Sequence, residues 1–395
     1  MKRLMNLSQI DKFGIVILLT SLGLACSGTI WSVFLESIVH NPSYVGFIFT
    51  FFSVVALLSY FFIIQIIERY SKSKLYLLAL LGFTLSYLVI SFFQNLFIVL
   101  IVGLVIHALT SLRISISGII TRDKSGDNVV SKNEGKIYTQ LNLAWMIGPL
   151  IAGYIAAKYN YGTVFFIAAF FIFISMLLFN FVFNIKDNRR AKRIDKNSLK
   201  VFLEYFKDRG RVLCYFLSGG ISLWLAFVYI YIPMFIIDSG YGADIVGYFI
   251  FAVAVPTVLL DYFFGRLACK VGFKKIFFIG YFIIGVMAIF AFFASNLFLI
   301  LFLVVLASIG LSMLEPSTEA YFFDMISKTQ RDKFYIPYNT TIEVNYLIST
   351  FIAAVFLLYF PFKGLFILFG GLMLVMAIIS LNIKNIIESR HKAKS

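Results

Sequence analysis

The sequence predicts an all-α integral membrane protein with twelve transmembrane helices in two six-helix, pseudo-symmetric bundles. Three observations carry this: composition, a count of apolar runs, and a repeat of the first half in the second. Of 395 residues, 61% are hydrophobic and 13% charged, with a mean hydropathy of +0.93. No water-soluble domain has that balance. Cutting at charged and turn-rich breaks leaves twelve apolar runs, each close to or above the ~20 residues a helix needs to span a bilayer. They are 13–37, 44–67, 75–94, 96–121, 136–157 and 163–184, then 211–237, 244–267, 275–294, 297–325, 336–360 and 362–385. A shift of 201 residues carries Gly46 onto Gly247, Asp123 onto Asp324, and the loop after span 2 onto the loop after span 8; Tyr138 and Tyr338 differ by 200. With six spans per half, the repeats enter the membrane in the same direction, related by an axis along its normal.

The charges set the topology. Net charge is +15, yet 31 of the 34 Lys and Arg fall on the side that holds both termini, ten of them between spans 6 and 7. Lys158 and Lys363 lie in the opposite loops and Arg113 within a span. The positive-inside rule therefore puts both termini in the cytoplasm of a multi-pass cell-membrane protein. The expected partners are the lipid bilayer, a small-molecule substrate, and protons or another coupling ion. Nucleic acid is not expected, and the chain is expected to be a monomer. The first apolar run, from Phe13, is too long for a signal peptide and has no small-residue cleavage site. Cys26, Cys214 and Cys269 have no metal or disulfide spacing and read as small buried hydrophobes, so no metal or cofactor is expected.

In chain order, span 1 carries Glu36 near its outer end and span 7 carries Asp238 at nearly the same depth, both expected at headgroup level. The loop after span 2 reads Glu68-Arg69-Tyr70-Ser71-Lys72-Ser73-Lys74. Such basic loops can tie the cytoplasmic helix ends together in one conformer and release them in another. Span 4 has His107, Ser111, Ser115 and Gly118 on one face and Arg113 on another, roughly 9 Å past mid-span. Span 5 carries Ala144, Gly148, Pro149, Ala152 and Gly153; small residues admit a neighbouring helix and Pro149 bends the run. The domains are expected at 1–184 and 211–395, joined by a basic linker at 185–210 that reads either as a surface-lying amphipathic helix or as a solvated connector.

In the second half, Asp261 lies one turn before Gly265 in span 8, a gating position. Span 10 places Ser308, Ser312, Glu315 and Glu319 at i, i+4, i+7 and i+11, one helical face, with Pro316 between the acids. A carboxylate facing lipid near mid-bilayer costs at least ~2.5–3.5 kcal/mol, so this face is expected to meet protein or water. Span 11 has Asn339, Glu343, Tyr346 and Thr350 on one face. Partly desolvated carboxylates are the groups able to load and release protons, so Glu315, Glu319 and Glu343, in that order, are the candidates for coupling. The substrate and proton cavity is expected to include Glu315, Glu319, Arg113, Glu343, His107, Ser312 and Asn339. Arg113 is expected to face Glu315 or Glu319 across it.

At this point the chain resembles the major facilitator superfamily over essentially its whole length. The family's loop after spans 2 and 8 reads Gly-x3-Asp-Arg/Lys-x-Gly-Arg/Lys-Arg/Lys. The second copy here is Gly265-x3-Cys269-Lys270-Val271-Gly272-Phe273-Lys274-Lys275, with cysteine in the acid's place. The first copy keeps Glu68-Arg69 but has Ile64 and Ser71 at the glycine positions. Gly148, Pro149 and Gly153 look like the span 5 motif of the family's drug–proton antiporters, although alanine replaces two of its glycines. Gly103 stands where the family's span 4 motif has arginine. The resemblance implies a gating role for Glu68, Arg69, Lys72, Lys74, Asp261, Gly265, Lys270, Gly272, Lys274 and Lys275. It also implies a bending element at Gly148, Pro149 and Gly153 that limits leak.

The function expected is secondary active transport by alternating access, as proton-coupled export of a small amphiphilic or cationic compound. Uptake or facilitated transport of a sugar, organic acid or other metabolite is the alternative. No Gly-x4-Gly-Lys-Ser/Thr motif occurs, which argues against ATP as the driver. A membrane-embedded enzyme would need a paired nucleophile and base, and a non-transporting sensor would have lost its cavity polarity.

Overall fold

The computed structural model describes residues 8–124, 130–182, 198–327, 330–384 and 386. Twelve helices among them are long and apolar enough to cross a membrane, and none of these residues forms a strand. Spans 1 to 6 are Gln9–Val39, Pro42–Arg69, Lys72–Phe92, Leu96–Lys124, Val130–Lys158 and Tyr161–Val182. Span 7 is composite: Arg209–Ala226, a π-helical turn Phe227–Tyr231, and Ile232–Asp238. Spans 8 to 12 are Ala243–Val271, Phe273–Phe293, Leu297–Met325, Arg331–Leu357 and Leu365–Ser380, the last preceded by a 3₁₀ turn at Phe362–Gly364. Of the expected linker, 185–197 lies outside the described residues, and the remainder contains a short helix, Ser198–Tyr205.

Helix starts are capped where the sequence provides an acceptor. Ser8, Asp208 and Asn296 take backbone N–H groups of spans 1, 7 and 10 on their side-chain oxygens, which satisfies donors a helix start leaves open. The two repeat-related loops solve this step differently. Ser71 accepts from the Lys74 N–H at 3.5 Å, whereas Gly272 has no side-chain cap and turns the chain with φ +91°, a conformation glycine adopts without cost.

The chain forms two compact units. The first is Met1–His40, Phe51–Ile194 and Tyr241–Phe251; the second is Asn41–Thr50, Asp195–Gly240 and Ala252–Ser395. The units thus exchange the first turns of spans 2 and 8, which chain order alone does not suggest. The cause is close helix packing through small residues. In the first unit a Cβ on Gly247 would lie 2.5 Å from the Pro149 carbonyl oxygen, so span 8 rests on the backbone of span 5. In the second unit Gly46 sits against Thr350 and Ala354 of span 11, and the Ser43 hydroxyl donates to the Ala354 carbonyl at 2.5 Å.

Each unit repeats one packing scheme. Span 1 packs on spans 5 and 6, and span 3 on spans 4 and 6; in the second unit span 7 packs on spans 11 and 12, and span 9 on spans 10 and 12. Glycines set the closest approaches: Gly148 against Ala25, Gly280 against Gly310, and Gly285 against Gly370. Aromatic clusters fill the interior, with Phe13, Tyr76 and Phe179 in one unit and Trp224, Phe227 and Phe369 in the other.

Candidate functional site

In the second unit, the face that helical spacing assigns to span 10 divides in two. Ser308 and Ser312 are fully buried, and their hydroxyls donate back to the carbonyls of Val304 and Ile309. They are packing residues whose polarity the helix itself satisfies. Glu315 and Glu319, further along, are half-buried. Glu319 accepts a 2.7 Å hydrogen bond on Oε1 from the Tyr335 hydroxyl of span 11. Tyr335 in turn stacks on Phe323, with ring centroids 5.5 Å apart. Pro316 removes the N–H that the Ser312 carbonyl would receive in an unbroken helix. Its ring faces span 8 at Gly265, where a Cβ would lie 3.5 Å away.

That approach brings the acids of spans 8 and 10 together. Asp261, one turn before Gly265, is within electrostatic reach of Glu315, and its Oδ1 is sealed from solvent with no hydrogen-bond partner among the described residues. Glu315 is also within reach of Tyr229, Tyr229 of Tyr346, and Tyr346 of Glu343. Spans 7, 8, 10 and 11 of one unit therefore contribute a continuous set of ionisable groups within apolar helices. Helical periodicity does not single out Tyr229. It sits in the π-helical turn, a feature frequent at functional sites. The signal for it is Pro233, which lacks the N–H that the Tyr229 carbonyl would take in an α-helix. Asn339 of span 11 is exposed. Asn345, one turn and a half further on, is buried, donates to the Thr341 carbonyl at 2.8 Å, and fills the space beside Gly219.

In the first unit His107 stacks on Phe52, with ring centroids 4.9 Å apart, and is half-buried. Arg113 is buried, with 7% exposure. Its Nε has no acceptor, and its guanidinium makes no hydrogen bond or ion pair with a described residue. Tyr76, Tyr87 and Tyr60 lie within electrostatic reach of it. Gly148 and Gly153 serve close packing: Gly148 on span 1, where the Cys26 thiol donates to its carbonyl, and Gly153 on span 8.

Of the predicted gating residues, Arg69, Lys74, Lys270 and Lys275 are exposed, Lys274 is half-buried and Lys72 is buried. The side chains of Glu68 and Cys269 lie outside the described ones. Lys270 and Arg266 border a cleft of about 260 Å³ with Tyr262, Phe263 and Leu267. Among the described residues no three His, Cys, Asp or Glu side chains gather as metal ligands would.

Outside the spans, the short linker helix is fastened to the start of spans 7 and 11. Arg211 donates through Nε to the Tyr205 carbonyl at 2.9 Å and through Nη2 to the Glu204 carbonyl at 2.7 Å, closing the helix's C-terminal end. Its guanidinium lies 4.4 Å from the Phe334 ring centroid. Lys333 donates to both carboxylate oxygens of Glu204 at 2.7 Å. That hydrogen bond, aided by the surrounding positive charge, holds the Glu204 carboxyl below its usual range.

Comparisons with known proteins agree with this architecture. The model of the family described as Major Facilitator Superfamily matches residues 13–260 and 244–394. No curated protein matches the sequence. Among solved structures, the fold is similar to a POT family transporter in complex with 5-aminolevulinic acid, at 12% identity and a TM-score of 0.80, covering 94% of this chain and 95% of that one. It is similar to the nucleoside transporter NupG at 12% identity and a TM-score of 0.77, covering 95% and 98%. It is also similar to the POT family transporter PepTSo at 10% identity and a TM-score of 0.74, covering 98% of each chain. At these identities the likeness is one of fold.

Proposed function

This chain belongs to the major facilitator superfamily, and from that premise we propose a proton-coupled secondary transporter working by alternating access, with both termini in the cytoplasm. That it is a multi-pass membrane transporter follows from the family and the twelve spans. The coupling rests on one observation: Asp261 and Glu315 lie within electrostatic reach of each other inside apolar spans, and one Asp261 oxygen is sealed with no donor. A buried carboxylate oxygen lacking a donor is satisfied by taking up a proton. Glu315 and Asp261 are therefore the proton-loading groups, and the tyrosines at positions 229 and 346 link them to Glu343.

Movement is supported by the way spans 5 and 8, and spans 2 and 11, pack through small residues. Small residues let these helices approach closely without interlocking side chains, the kind of surface along which packed helices slide in shear motions. The same packing accounts for Gly148 and Gly153 without an exporter-specific role, which removes a ground for export and favours transport of a small metabolite. A second reading, export of an amphiphilic cation, draws support from the carboxylates beside Tyr229 and Tyr346, whose ring faces attract cations.

The test is proteoliposome flux with a pH-sensitive dye trapped inside, against a panel of metabolites and lipophilic cations. Wild-type protein should move protons with its substrate. Glu315→Gln should keep substrate exchange and lose both proton movement and pH-driven accumulation. Wild-type flux indifferent to the pH gradient would sink the coupling.

A further inference from the structure

Span 4 holds a cation that the described residues of its own unit leave unanswered. Arg113 lies eight residues, roughly 12 Å, inside the end of the apolar span at Thr121. That depth is within the hydrocarbon region and away from the headgroups toward which arginine normally snorkels. It keeps 7% exposure, Nε has no acceptor, and no described carboxylate pairs with it. Three tyrosines, at positions 60, 76 and 87, lie within electrostatic reach of it. The Tyr87 hydroxyl accepts from Ser27 at 2.9 Å and so keeps its own proton to donate. The Tyr76 hydroxyl, fully buried, faces Thr20 without closing a hydrogen bond within 3.5 Å. The hydroxyls can accept or donate, but none carries a charge to answer the guanidinium.

A buried charge without a partner is strongly unfavourable, and the usual remedy is an anion with matching hydrogen-bond geometry. The planar guanidinium offers a fork of N–H donors suited to a carboxylate. Charge count narrows the class. Of the Lys and Arg residues among the described ones, only Arg113 and Lys72 are buried, and Lys72 stands at the start of span 3, at the helix end. One guanidinium balances one negative charge, whereas a di- or trianion would bury charge with no counterpart.

We propose that Arg113, with the tyrosines at positions 76 and 87, is a carboxylate-recognition site and that the transported substrate is a small organic monoacid. The assignment rests on the transporter reading above and specifies its substrate class. Arg113 binds the carboxylate through two N–H groups, and the tyrosines donate the remaining hydrogen bonds.

The experiment uses the full-length protein in detergent and in proteoliposomes. Thermal stabilisation is read with benzoate and hexanoate, with benzamide and hexanamide as uncharged isosteres, and with succinate as a dianion. The monoacids should stabilise the wild type and the amides and succinate should not. Arg113→Gln should weaken monoacid binding by roughly 30-fold or more. Arg113→Lys, which retains the charge and the fold but not the fork, should fall between. Should Arg113→Gln fail to fold, the Arg113→Lys affinity and the acid-to-amide ratio carry the test. Equal response to acids and amides, no response to any acid, or an unchanged affinity in Arg113→Lys overturns the proposal. So does a finding that Glu315→Gln abolishes wild-type stability as Arg113→Gln does while acids leave both unaffected, because Arg113 would then serve a carboxylate of its own chain. Flux in the proteoliposomes separates the two readings. Monoacid binding without flux would sink transport and leave the site; proton-linked flux of amides or cations, indifferent to Arg113, would sink the site and leave transport.

Discussion

Gly153 and Gly247 meet backbone to backbone: a Cβ on Gly153 would lie 2.8 Å from the Gly247 Cα. Shifting each by the 201-residue repeat gives Ala354 and Gly46, and these also touch, with a Cβ on Gly46 falling 2.8 Å from the Ala354 Cβ. Pro149, whose carbonyl faces Gly247, corresponds likewise to Thr350, whose carbonyl faces Gly46. The duplicated sequence has kept the same two helix contacts in both copies, with only one of the four small positions changed.

Adding a methyl group at these contacts should therefore be costly. Gly153→Ala, Gly247→Ala and Gly46→Ala should each lower stability by about 1–3 kcal/mol through overpacking. Gly118→Ala and Gly371→Ala, where a Cβ meets nothing within 4 Å, should be neutral or stabilising, because alanine is the better helix former. Thermal unfolding in one detergent ranks the five. Equal shifts across the set would mean the contacts are loose.

Asp261 should separate stability from activity. Its Oδ1 accepts nothing from the described residues, so Asp261→Asn removes no hydrogen bond at that oxygen, and the change in stability should stay within about 1 kcal/mol. Proton-driven accumulation should fall at least about tenfold, the loss of roughly 1.4 kcal/mol of coupling. Retained accumulation would leave Glu315 as the sole loading group.

The hydrogen bond between Tyr335 and Glu319 should show as a coupling energy. Tyr335→Phe, Glu319→Gln and the double variant form a cycle in which an interaction with a charged acceptor amounts to about 1.5–3 kcal/mol. Additive effects would mean the two residues do not share the bond.

The linker helix should loosen in acid. Glu204 has its carboxyl held below the usual value of 4.5 by the hydrogen bond from Lys333. A group depressed on folding adds stability above its unfolded value, and that contribution disappears as the pH falls through the folded one. Amide exchange over 198–208, corrected for intrinsic rates, should therefore rise below pH 4.5 in the wild type and show no such step in Glu204→Gln. Arg211→Met, which frees two carbonyls, should raise exchange at every pH, at a cost of about 1.5–3 kcal/mol. Unchanged exchange in both variants would mean the helix is held by other contacts.

The twelve spans were legible because hydrophobic length is a local property of the sequence, and the repeat because its register survives at Gly46 and Gly247. The acids of span 10 were legible by helical spacing. The split of that face was not: Ser308 and Ser312 have the same periodicity as Glu315, yet the hydroxyls are short enough to bond their own helix and pack away. The partner of Glu319 and the approach of Asp261 to Glu315 depend on how spans 8, 10 and 11 cross, and periodicity along one helix carries no information about crossing. The π-helical turn at Tyr229 left one trace, Pro233. The exchange of the starts of spans 2 and 8 left another, in the glycines of those turns.

Fastening the linker helix changes the arithmetic of the tether between the six-helix bundles. Chain order predicts a 185–210 connector. With Ser198–Tyr205 held to the start of spans 7 and 11 by Arg211 and Lys333, the stretch left between described helices is Val182 to Ser198. Sixteen Cα steps reach at most about 55 Å when fully extended. Release of the helix would lengthen that leash by roughly a third even if the freed residues stayed helical. The grip of Arg211 on two carbonyls therefore sets the length of the connector as well as a local fold.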